Sequence, residues 1–234
     1  MVSRTEFKDD VLKLAVSVLQ SARDPEHILK HAKYFSVPTK SELHRDSIKR
    51  LLNHPQLRPL INERYSIAWP SLAEMAAMPK GSLGFCMQQR LTYLGIDKLP
   101  MTLPLIDDEE DYVLNRLSIC HDIQHVVMGL PISVAGEAAA SAYNLITKNM
   151  PFHIGLLATW LTHGLIEPDE HRLIWEGINY GSQLGLSGVF LEAFRWEEGW
   201  ERPLAEWRSE LGLTSLLEIS PFQDEIHRWE TLSS

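Results

Sequence analysis

Cysteine is scarce. Only Cys86 and Cys120 occur in 234 residues. No disulfide framework follows from that, and a reducing compartment is the default. Positive charge is scarce too. Twenty-two Lys and Arg stand against thirty-one Asp and Glu, for a net charge of −9. No basic patch interrupts this, so nucleic-acid binding lacks its electrostatic footprint. Simple electrostatic adhesion to an anionic membrane is disfavoured for the same reason. No window holds eighteen uninterrupted apolar residues, so no bilayer-spanning helix is expected. Met1 to Asp10 lacks both the apolar core of a signal peptide and the Arg-rich, acid-poor character of an organellar presequence. No strand alternation of convincing length is present. P-loop, dinucleotide glycine fingerprint and nucleophile elbow are all missing.

Helical periodicity is what remains. Hydrophobic residues make up 44% of the chain, enough for a packed core. Thr5 to Ala22 repeats Val11, Leu12, Ala15, Val16 and Leu19 at helical spacing. Asp24-Pro25 opens a second helix to about Phe35. Thr39 or Ser41 opens a third. Asn53 to Ala68 reads as irregular or short-helical. Further helices are expected over 70–78, 82–94, from 107 to the stop at Gly129-Leu130-Pro131, from Ser133, from Pro151, from Pro168, over 191–200 and over 203–211. Gly177, Gly181, Gly185 and Gly188 step along one of them. Each glycine costs about 1 kcal/mol relative to alanine inside a helix, so close helix contact or a partner helix should compensate. Ile96 to Ile106 is apolar for a loop and is a candidate for contact with a membrane or a hydrophobic chain.

The chemistry concentrates at His121-Asp122-Ile123-Gln124-His125, followed twelve residues later by Glu137. Residues four apart share a helix face, so His121 and His125 stack on one side of the helix. Leu114, Leu117 and Met128 fall roughly on that side, so the imidazoles point into the protein. Ser133 caps or opens the next helix, which places Glu137 in its first or second turn. Two imidazoles and two carboxylates are a donor set for a divalent metal: zinc first, with iron, manganese or magnesium as alternatives. Arg116, one turn and a residue before His121, is a second-layer partner or anion clamp, or else a surface salt bridge. His27 and His31 are also four apart, but beside Glu26 and Lys30 they read as surface. His153 and His163 read as structural histidines.

His121-Asp122-x-x-His125, eleven residues, then Glu137 resembles the signature of the coenzyme Q (ubiquinone) biosynthesis family that is numbered fourth. Asp111-Tyr112-Val113, Arg116, Pro131, Gly136, Met150-Pro151, the stretch 79–95, Trp200 and Arg208-Ser209-Glu210-Leu211-Gly212 extend the likeness over Trp69 to Leu213. It is weak or absent over the first fifty or sixty residues. Two departures stand out. Leu117-Ser118-Ile119-Cys120 replaces a more polar run, and Ser141 and Asn144 stand where the family has Lys and Glu.

The resemblance implies an all-α, single multi-helix domain, with helices packed around a central metal-site pair and an apolar cavity. Residues 1–60 would be a helical region packed on a body of 61–234. His121, Asp122, His125 and Glu137 would hold the metal and act in catalysis, with Arg116 and Met128 at the substrate. The ligand would be a polyprenyl lipid or quinone precursor. The reaction would be oxidative decarboxylation of a prenylated hydroxybenzoate-type acid at ring carbon one. A non-catalytic scaffold that presents an isoprenoid lipid is the alternative. A metal-dependent phosphohydrolase using His44 and Asp169 ranks third. A homodimer, other quinone-biosynthesis proteins and peripheral membrane contact are the expected partners. The expected location is the cytoplasm or the inner face of a membrane, in a bacterial-type or already mature chain.

Overall fold

Side-chain oxygens set where the helices start. Asp108 Oδ1 accepts from the amides of Glu110 (2.8 Å) and Asp111 (3.0 Å). Ser133 Oγ accepts from Gly136 N and Ser82 Oγ from Phe85 N, both at 3.3 Å. Ser71 and Glu74 form a reciprocal capping box. Each satisfies amide donors that have no partner in the first turn.

The computed structural model describes residues 4–31, 34–97 and 108–231. In chain order the helices are α1 (Arg4–Arg23), α2 (Ile28–His31), α3 (Glu42–Leu52), α4 (Arg58–Glu63), α5 (Leu72–Ala76), α6 (Leu83–Tyr93), α7 (Glu109–Met128), α8 (Val134–Lys148), α9 (Phe152–Ile166), α10 (Pro168–Leu186), α11 (Leu204–Glu210), α12 (Thr214–Glu218) and α13 (Gln223–Thr231). Among the described residues the one β-type pairing is an isolated bridge between Ser82 and Pro203. The chain is all-α. The apolar loop expected at 96–106 lies mostly outside the described residues.

Two compact units divide the chain, and both are discontinuous: residues 1–50 with 132–188, and 51–131 with 189–234.

In the first unit α8 lies against α10. The contact depends on small residues. A Cβ on Gly181 would stand 2.0 Å from the Ala139 carbonyl oxygen, and one on Gly185 would stand 2.9 Å from Ile146 Cβ. Gly181 and Gly185 of α10 are therefore used by α8, with Ala138, Ala139 and Ala142 buried opposite, whereas Gly188 lies past the end of α10 at φ +81° with open space around it. Close helix contact inside the chain is the compensation they required. α9 joins through Trp160 Nε1, which donates to Ser141 Oγ (3.3 Å). Parallel to α9 runs α1. His163 Nδ1 meets the Ala22 carbonyl at 2.7 Å. Between α1, α9 and the turn at 37–43 lies an apolar groove of about 400 Å³.

In the second unit α7 is the axis. Arg58 grips Glu109 with two hydrogen bonds (2.7 and 2.8 Å) at its start. At its end Gly129 takes φ +65°, and the buried Arg208 donates to the carbonyls of Val126 and Val127, both at 3.1 Å. Those carbonyls lack helical partners, and a cation there also suits the helix dipole. The helix expected over 191–200 is instead two short turns, Leu191–Ala193 and Trp196–Glu198. Carbonyls there serve side chains: Leu191 O accepts from Trp196 Nε1 (2.8 Å), and Glu192 O from Arg116 Nε (3.1 Å).

Candidate metal centre

Helix α7 brings the two motif histidines together. His125 is buried, with 1% exposure, and His121 is half-buried. His125 Nδ1 lies 3.1 Å from the Leu130 carbonyl oxygen. A carbonyl only accepts, so Nδ1 carries the proton and Nε2 keeps its lone pair. That Nε2 faces His121 Nε2 at 3.2 Å, with the rings edge-to-face at 4.7 Å. Two imidazole nitrogens bound at about 2.0–2.1 Å to one ion in near-tetrahedral geometry stand about 3.3 Å apart. The pair has the spacing that a metal asks for, and His125 has the tautomer.

The Leu130 carbonyl is itself fixed. Arg90 Nη2 donates to it at 2.8 Å, and Arg90 Nη1 pairs with Glu225 at 2.8 Å. Arg90 and Glu225 thus stand behind the atom that sets the tautomer of His125. Metal-binding histidines are ordinarily oriented in this way by a carbonyl or carboxylate on the other nitrogen.

Arg116, Cys120 and Gln124 follow one another at four-residue spacing and are all buried. Arg116 donates to the carbonyls of Glu192 and Phe194 and forms an ion pair with Glu197 that is 0% exposed on both sides. The surface salt bridge offered for Arg116 is therefore excluded: its guanidinium fastens α7 to the 192–197 segment. Gln124 Nε2 donates to Glu192 Oε1 at 2.6 Å. Met128, the other residue expected at a substrate, is fully buried at the end of α7. Asp122 is half-buried beside the histidines and is not drawn to ligand-sharing distance of their nitrogens.

Glu137 stands in the first turn of α8, half-buried, its amide donating to Ser133 O at 2.9 Å. Ser141 and Asn144, the departures from the family pattern, are both buried. Ser141 receives Trp160, and Asn144 Oδ1 accepts from Lys148 Nζ. Among the remaining candidates, His27 is exposed and pairs with Asp24 (2.8 Å); the side chain of His31 lies outside the described residues. His163 is engaged with Ala22 O and stands 3.5 Å from Glu170. His44 is buried on α3 and Asp169 is exposed at the start of α10.

Arg90, Gln124, Glu192 and Glu197 were not singled out from the sequence. Gln124 carried a signal, since it lies inside the motif. The others lie far along the chain from the residues they serve.

A family profile described as coenzyme Q (ubiquinone) biosynthesis protein Coq4 matches residues 5–216. The chain belongs to the Coq4 family. The match begins well before Trp69, so α1 to α4 are part of the family's pattern and the weak likeness read there is corrected. A relative from Uncinocarpus reesii, named a mitochondrial ubiquinone biosynthesis protein COQ4, is 30% identical over 168 residues, which is 70% of this chain and 59% of that protein. One of the same name from Talaromyces stipitatus is 31% identical over 185 residues, 76% of this chain and 61% of that protein. The Coq4 chain described by this sequence thus spans about three-fifths of the length of these relatives. The crystal structure of a Nostoc punctiforme protein, provisionally assigned to ubiquinone biosynthesis, superposes with a TM-score of 0.75 at 21% identity. It covers 91% of this chain and all of that one, and shows the same fold. Among the described residues no helix is long and apolar enough to cross a membrane.

Proposed function

We propose that this Coq4 chain binds a divalent metal, zinc first, and a polyprenylated aromatic acid, and removes the ring carboxylate in quinone biosynthesis. The carrying observation is the His121–His125 pair, with both Nε2 atoms turned to one point and the Nδ1 proton of His125 fixed by Leu130 O. His121, His125 and Glu137 are the proposed ligands. Asp122 adds the second negative charge that offsets a dipositive ion. When bound, the ion supplies Lewis acidity toward a carboxylate or phenolate. The chain's own residues do the rest. His125 presents its Nε2 lone pair without rearranging, while Arg90 and Arg208 hold the end of α7 still. The groove of the first unit supports a lipid ligand: its lining is almost wholly apolar, and its volume of about 400 Å³ suits a hydrocarbon segment.

The same groove favours a second reading, in which the chain presents an isoprenoid compound to other quinone-biosynthesis enzymes and the metal is structural. A closed four-ligand zinc would fit that role, since catalytic sites keep a position open. A homodimer and association with those enzymes belong to both readings.

Metal content of gently purified protein decides first, with wild type beside His121→Ala and Glu137→Ala. Near one equivalent of metal in the wild type, lost in both variants while helical circular dichroism persists, is expected. No metal, and none restored on addition, overturns the site. Release of carbon dioxide from a prenylated hydroxybenzoate then separates enzyme from carrier.

A further inference from the structure

Helix α1 is packed at one end only. Ser17, Val18, Ser21 and Ala22, all in its last two turns, are buried. There His163 Nδ1 donates to the Ala22 carbonyl at 2.7 Å, an oxygen that the helix end leaves without an intrahelical partner. Over residues 5–16 no side chain is buried. Phe7, Asp10 and Leu14 are half-buried, and Leu12 and Val16 are 68% and 55% exposed. Helices in proteins are stabilised mostly by packing one face, and segments with few buried contacts open first. The first half of α1 is such a segment.

That half stands over the apolar groove. Phe7, Val11 and Leu14 line it from α1, Val37 from the turn, and Ile154 and Ala158 from α9. The lining carries one polar side chain, Ser41, and its hydroxyl is already used: it donates to Pro38 O at 2.6 Å and accepts from His44 N at 3.1 Å. Polar groups of an occupant would therefore be left unsatisfied there. One turn of α-helix, about 10 Å across and about 5.4 Å long, would by itself fill the volume of about 400 Å³, so a peptide helix does not fit inside. A hydrocarbon chain does.

An ion pair ties the loosely packed half across the groove. Lys40 Nζ, at the end of the Val37–Lys40 turn, meets Asp10 Oδ2 at 2.7 Å, and Lys13 holds the other carboxylate oxygen at 2.9 Å. Lys40 first, then Lys13, keeps the Asp10 carboxyl below its ordinary range, so it is charged at neutral pH. The Lys40 side chain is 43% exposed, and pairs open to water are weak. A weak tie at one end faces a packed anchor at the other.

We infer that the first half of α1 is a lid. It swings on its packed last two turns to admit a hydrocarbon chain to the groove, and Asp10 with Lys40 latches it shut. The occupant rests on the lipid ligand of the proposed function; the lid does not depend on the metal site.

The test is stopped-flow uptake of diphenylhexatriene, a neutral hydrocarbon that fluoresces in apolar surroundings, by the full chain. K40Q, which leaves the Asp10–Lys13 pair in place, is expected to take up the probe about two- to fivefold faster than wild type, the factor that an exposed ion pair is worth. High salt should bring wild type to the K40Q rate and leave K40Q unchanged. D10C/K40C joined by a short bismaleimide should take up the probe at least about tenfold more slowly than the same variant unjoined. The native Cys86 and Cys120, at 1% and 0% exposure, are shielded from the reagent. Equal rates with and without the bridge, or a K40Q no faster than wild type, overturn the lid and leave the groove as a lipid site. A158F, which puts a ring into the groove from an exposed position of α9, checks where the probe sits. If it binds the probe as wild type does, or if wild type binds none, the groove takes no hydrocarbon, and the lid and the lipid ligand fall together.

Discussion

Arg116 shows how a single residue can be placed by chemistry that sequence position hides. Its charge lies fully buried against Glu197, and its other donors go to backbone carbonyls. Desolvating two charges is costly, and only full hydrogen bonding offsets it. Removing one partner leaves the other buried and alone. Glu197→Ala is therefore expected to destabilise the fold by about 3–5 kcal/mol, read from urea denaturation. A loss below about 1 kcal/mol, the value of an exposed pair, would show that water reaches the site. Cys86 gives a second residue-scale expectation. Burial pushes its thiol from 9.0 up to about 11, with Arg208 pulling the other way. The folded state thus keeps the proton that the unfolded state releases. Its contribution is complete below pH 9 and is lost as pH rises toward about 11. Stability should fall across that window, and Cys86→Ala should fall less steeply in the same melts.

Elements repeat the lesson in two forms. Gly181 admits no side chain, because its Cβ would stand on the Ala139 carbonyl. That atom is backbone and cannot turn aside, so α10 must move off α8. Gly181→Ala should cost about 1–3 kcal/mol, toward the upper end, although alanine is the better helix former. Greater stability in the variant would mean that the two helices are not in backbone contact. The end of α7 supplies the other form. Arg90 holds Leu130 O, which holds His125. Arg90→Gln should weaken metal binding about 10–100-fold in chelator competition. Glu225→Gln removes the ion pair but leaves the donor on Leu130 O, so it should lower stability while changing metal affinity much less. Equal losses in both would make Arg90 merely structural.

Helix boundaries were legible because they are local. Asp108, Ser133, Ser82 and Gly129 act on backbone within four residues of themselves. The histidine pair was legible for the same reason. The 191–200 segment was not. Its helix-like pattern of bulky residues is overruled by Arg116, some eighty residues away, which takes the carbonyls that a helix would use. Distant partners such as Glu225 for Arg90 leave no trace in local spacing. The apolar spacing of α1 was legible, but periodicity alone cannot say which face is buried: Val11, Leu12, Val16 and Leu19 lie exposed, and Ser17, Val18, Ser21 and Ala22 are the buried residues.

For the whole molecule, the proposed metal site links metal binding to folding. An ion that binds the native chain and not the unfolded one stabilises it by about 2.7 kcal/mol at a hundred times its Kd. The melting temperature should rise with free zinc and fall on chelation. That dependence should vanish in His121→Ala, which removes an imidazole without touching Leu130 O or Arg90. Glu137→Ala is the more demanding variant, because it changes a different helix, in the other compact unit. If zinc still raises the melting temperature of Glu137→Ala as it does the wild type, the ion is held by α7 alone and the proposed ligand set is wrong in its acid. If the response disappears in both variants, with helix content intact, residues sixteen apart in the sequence and on separate helices act as one site.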